Sequence, residues 1–81
     1  MSVEEFRQYL IDKEHIYPDY CKKENIIYNN CEVYAPEFNN KYIGFPMFYL
    51  IDKNDKINSC SKQQVFEILD LLEKMDYEDG I

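Results

Sequence analysis

The chain has 81 residues and a mass of 9.9 kDa, with 46% hydrophobic and 31% charged residues and a formal charge of −7. That length accommodates one domain, and eight Tyr with five Phe are too many for an intrinsically disordered chain. No apolar run approaches the roughly 18 residues of a membrane span, the acidic stretch 1–7 is unlike a secretory signal, and a pI near 4.5 argues against direct nucleic-acid binding.

Ser2 and Glu5 have the spacing of a capping box, in which each side chain satisfies the other's backbone N–H. Val3, Phe6, Leu10 and the stem of Lys13 follow at helical spacing, which predicts a helix over residues 3–13. Residues 18–28 support two readings. Pro18 suits the first position of a second helix, whereas Ile26, Ile27 and Tyr28 suit a strand that turns at Asn29-Asn30, since Asn tolerates positive φ. Cys31, Val33 and Ala35 alternate with Glu32 and Tyr34, the pattern of a half-buried strand over 31–35, and Pro36 to Lys41 reads as a loop.

Met47 to Ile51 is apolar throughout, which marks a central strand or one covered on both sides. Asp52 to Asp55 then turns the chain into a return strand over 56–60, so 46–60 reads as a hairpin. Ser61 and Gln64 form a second capping box that opens a helix reaching about Met75. Val65, Phe66, Ile68, Leu69, Leu71, Leu72 and Met75 spread over an arc of roughly 220°, wider than a surface helix needs. The sheet covers one side of this helix, and the first helix or another chain must cover the rest. The fold class is therefore α+β: a small two-layer domain of N-terminal helix, small antiparallel sheet and C-terminal helix. Residues 1–81 form a single domain, with 76–81 as a frayed acidic tail.

Three cysteines (Cys21, Cys31, Cys60) and one histidine (His15) are the residues capable of thiol or imidazole chemistry. An odd count of cysteines reads as free thiols in a reducing, cytoplasmic setting. Zinc sites use closely paired ligands, and the gaps of nine and 28 residues between these cysteines offer none, so no metal or cofactor is expected. His15 reads as a turn residue at the end of the first helix. The stretch from Asp52 to Gln63 lacks the Gly and the closing Glu of a calcium loop. No catalytic motif emerges, and the chain reads as a non-enzyme.

Gly44-Phe45-Pro46 followed by Met47 to Asp52, a turn, a return strand and a helix resembles the closing strand–strand–helix unit of thioredoxin-like proteins. In that family the Pro is cis and begins the strand, a place Phe45-Pro46 matches. The resemblance covers about 30 residues and implies a fold without dithiol activity, because the family's C-x-x-C is absent.

The charge is uneven. Residues 15–65 are neutral, while residues 66–81 carry six acids against Lys74 alone. With a surplus of Tyr, this composition suggests an acidic binding face for another protein with a basic surface. Antagonists of nucleic-acid-handling enzymes, such as phage anti-defence inhibitors, and immunity proteins share it. The contact candidates are Glu67, Asp70, Glu73, Asp76, Tyr77, Glu78 and Asp79. An alternative is an accessory subunit or homo-oligomer, including a homodimer, whose interface is completed by Phe66, Leu71 and Met75.

Overall fold

The computed structural model describes the backbone of residues 1–39 and 47–79, and the side chains of 1–39 and 47–74. Helix α1 (Val3–Tyr9) begins at the predicted capping box: Glu5 N–H donates to Ser2 Oγ and Ser2 N–H to Glu5 Oε1, each at 3.1 Å. It continues as a π-helical turn (Leu10–Glu14) that ends at His15, where φ is 55°. His15 is thus the C-terminal turn residue that the sequence predicts.

The two readings of 18–28 resolve in favour of the strand. β1 (Tyr20–Tyr28) pairs antiparallel with β2 (Cys31–Glu37) across Asn29 and Asn30, whose φ values of 51° and 63° match a two-residue type I′ turn. The register shifts between Lys23 and Ile27. This bulge breaks the period-two pattern and makes the stretch hard to read as a strand.

β2 extends past the predicted 31–35 to take in Pro36 and Glu37, which the sequence assigns to a loop. On β2, β3 (Tyr49–Ile51) pairs with Glu32 to Tyr34, so among the described residues β2 has no partner on that side by the time it reaches Pro36. A residue without an N–H is tolerated there. β4 (Ile57–Ser59) completes an antiparallel sheet of order β1-β2-β3-β4. The β3–β4 hairpin turns on Asp52, whose Oδ1 accepts from the N–H groups of Asn54 and Lys56 at 2.8 and 2.9 Å.

Helix α2 (Lys62–Asp79) opens on the second capping box, Gln64 N–H to Ser61 Oγ at 3.2 Å and Ser61 N–H to Gln64 Oε1 at 2.9 Å. Its backbone runs past Met75, where the apolar pattern ends.

The two helices lie on opposite faces of the sheet. Under α1, Phe6 and Leu10 pack with Cys21, Tyr34, Tyr49 and Ile51. Under α2, Val65 and Ile68 pack with Val33, Ala35, Phe48 and Leu50. Adjacent residues such as Val33 and Tyr34 alternate between these two cores because strand side chains alternate between faces. The α+β class stands, with helix, sheet and helix stacked in that order.

This stacking changes two expectations. Tyr34 is 1% exposed, so β2 is covered on both faces and is not half-buried. The Phe6 ring lies 5.2 Å from Tyr34 and 5.4 Å from Tyr49 in tilted and edge-on contacts, geometries worth about 0.5–1.5 kcal/mol each beyond burial. In addition, α1 cannot cover the wide apolar arc of α2, because the sheet stands between them. β3, β4 and α2 follow in the strand–strand–helix order on which the thioredoxin-like resemblance rests, and among the described residues the sheet is antiparallel throughout. The Phe45-Pro46 of that resemblance lies outside the described residues.

Candidate functional site

Helical geometry sorts the predicted contact residues around α2. Phe66, Asp70, Glu73 and Tyr77 recur at i, i+4, i+7 and i+11, so they occupy one side of the helix. Phe66 lies two residues, about 200°, from the buried Ile68, which places this line opposite the sheet. Phe66 is 54% exposed, and Asp70 and Glu73 are also exposed. The outward strip therefore combines an aromatic residue with two carboxylates.

The remaining candidates fall elsewhere. Glu67 is on a flank, where its Oε2 accepts the Tyr28 hydroxyl proton at 2.8 Å. That bond pushes the Tyr28 hydroxyl pKa up, with burial adding to it. Glu78 shares the Glu67 flank, being eleven residues on. Asp76 and Asp79 fall in line with Leu72 and Ile68, the side that faces the sheet earlier in the helix. Asp70 also meets Lys74 one turn on, at 3.2 Å. The seven contact candidates, six acids and Tyr77, thus fall at helix positions on three sides.

The interface set is divided as well. Leu71 is 37% exposed, but it stands five residues, about 140°, from Phe66 and borders the Glu67 flank. Met75 lies one turn beyond Leu71. The described Tyr residues divide by burial, with Tyr9 and Tyr28 half-buried between two extremes. Tyr34 and Tyr49 are core residues, whereas Tyr17 and Tyr20 are 66% and 53% exposed, before and at the start of β1.

A feature the sequence analysis did not single out lies beside α2. A cleft of about 560 Å³ opens between α2 and the β1–β2 pair, with Ala35, Phe48, Leu69 and Leu72 among its apolar walls. At its rim the Lys22 ammonium lies 3.2 Å from Glu24 Oε1 and 3.2 Å from Glu37 Oε1. Burial works against the Lys22 charge, but the hydrogen bonds to Glu37 and Glu24 outweigh it, and the Lys22 pKa is raised. The i, i+2 spacing of Lys22 and Glu24 was the available signal, legible only once 18–28 is read as a strand.

All three cysteines are free thiols. Burial pushes the Cys21 and Cys60 pKa values up, which lowers the thiolate fraction, the reverse of what activates a nucleophile. Among the described residues, no group of His, Cys, Asp and Glu is arranged to hold a metal ion, and no helix is long and apolar enough to cross a membrane. The chain matches no family model, and neither a curated protein nor a solved structure shows significant similarity to it. Its fold and its surface chemistry are what bear on function.

Proposed function

We propose that this protein is a small, non-enzymatic binding protein that engages a basic protein partner through the outward side of α2. The observation carrying this reading is the exposed strip of Phe66, Asp70 and Glu73, turned away from both cores. An exposed aromatic flanked by carboxylates suits a partner that offers an apolar pocket ringed by Lys and Arg. The charge of residues 66–81, six acids against one Lys, adds a field that steers such a partner into contact. Surfaces that handle nucleic acid have this basic character. An inhibitor or immunity-type antagonist of a nucleic-acid-handling protein is therefore the role we favour. The free thiols suit a reducing, cytoplasmic setting.

Affinity capture from the source cell tests the reading. Immobilised wild-type protein should retain a basic protein that elutes as salt is raised. The double variant Asp70→Lys/Glu73→Lys should retain about tenfold less, since like-charge contacts across an interface are strongly unfavourable. Equal retention by the two proteins would contradict the proposal.

A further inference from the structure

The cleft beside α2 has a composition that fits a particular kind of ligand. Its walls are apolar: Ala35 and Phe48 are 3% and 7% exposed, and Leu69 and Leu72 are half-buried in the same core. About 560 Å³ is room for one or two bulky side chains, within the size range of small-ligand sites. The rim is not neutral. One ammonium, Lys22, serves two carboxylates, Glu24 and Glu37, so among the described residues this cluster carries one uncompensated negative charge. The Glu24 side chain is only 11% exposed, which limits how well water can screen it. Strand alternation places the exposed Tyr20 on the same face as Lys22, one step along β1 and opposite Glu37. Tyr20 thus adds an aromatic face, to which a cation is attracted.

We infer that this cleft binds a basic amphipathic peptide segment of the partner. A bulky apolar side chain of the segment enters between α2 and β2, and an adjoining Arg or Lys pairs with Glu24 and Glu37. The second cation supplies the charge that Lys22 alone does not. The inference rests on the proposed basic partner and adds a site for one of its segments, on a different side of α2 from the Phe66 strip.

The test uses the full chain, labelled with ¹⁵N, and three blocked tetrapeptides: RLFR, its neutral analogue QLFQ and its acidic analogue ELFE. A short segment in an open cleft binds at millimolar concentration, which chemical-shift mapping detects. RLFR should shift the amides of Lys22 to Glu24, of Ala35 and Glu37, and of Leu69 to Leu72 saturably. QLFQ should bind about threefold more weakly, and ELFE should leave these amides unmoved. Glu37→Gln should weaken RLFR about threefold while leaving QLFQ unchanged, a readout that a merely structural role of Glu37 would not produce. Equal binding of RLFR and QLFQ, shifts elsewhere on the surface, or no shifts at all would overturn the inference. The capture experiment separates the two proposals. Charge-dependent capture with a failed peptide series removes the cleft alone, and a peptide series that succeeds without capture removes the α2 strip alone.

Discussion

Tyr34 places its ring in the core beneath α1 and its hydroxyl against two acceptors, the Met1 carbonyl at 2.6 Å and Glu32 Oε2 at 3.1 Å, which share its proton. Burial, followed by the Glu32 hydrogen bond and charge, pushes its pKa up from 10 to about 12. A raised pKa on an acid means that the fold requires the protonated form. The associated stability is complete below pH 10 and is lost as pH rises toward about 12, because the unfolded chain releases this proton first. Tyr34→Phe should cost about 1–2 kcal/mol near neutrality through the lost hydrogen bonds. It should also flatten the alkaline decline, which urea denaturation below and above pH 10 measures. An unchanged slope would show that another group governs the decline. The sequence hid this residue because alternation with Val33 assigns Tyr34 to solvent, a valid inference only when one face of a strand is covered.

At the scale of elements, what was legible was local chemistry. Both capping boxes and the β3–β4 hairpin are read from a few consecutive side chains, and each forms as predicted. Ser61→Ala should lower stability by about 1 kcal/mol, the usual loss when a helix cap is removed, as measured by thermal or urea unfolding. The Asn29-Asn30 turn was legible for the same reason, but the strand before it was not, since the bulge after Lys23 interrupts its alternation. Asn30 has φ of 63°, so Asn30→Val should destabilise by about 1–2 kcal/mol, while Asn30→Gly should be tolerated. Unequal urea midpoints of these two variants are the check. Equal midpoints would mean that the turn does not constrain the hairpin.

At the scale of the molecule, the sheet divides the interior into two cores with a helix on each. Sequence periodicity reports which face of a helix is apolar, but it does not say on which side of a sheet the helix docks. For that reason the wide arc of α2 called for α1 or another chain as a cover. With α1 on the other face, Phe66 and Leu71 remain exposed on separate sides of α2. Ile51 and Ile68 belong to different cores and share no cluster. Ile51→Val and Ile68→Val should each cost about 0.5–1.5 kcal/mol. The double variant should equal their sum within about 0.5 kcal/mol, as expected for independent sites. A larger coupling would show that the sheet transmits packing changes between its faces. Of the candidate site, the acidic bias of 66–81 was legible from composition. The sorting of Asp70 and Glu73 onto an outward strip, and of Glu67 onto a flank bound to Tyr28, required the helix to be placed on its sheet.

That placement makes the outward strip of α2 the centre of the functional account, and association kinetics test it most directly. With the captured partner in hand, stopped-flow association should slow steeply as salt rises for the wild-type protein. For Asp70→Asn/Glu73→Gln it should be slower at low salt, with a shallower salt dependence and an unchanged fold by circular dichroism. Identical rates and salt slopes for the two proteins would contradict the account.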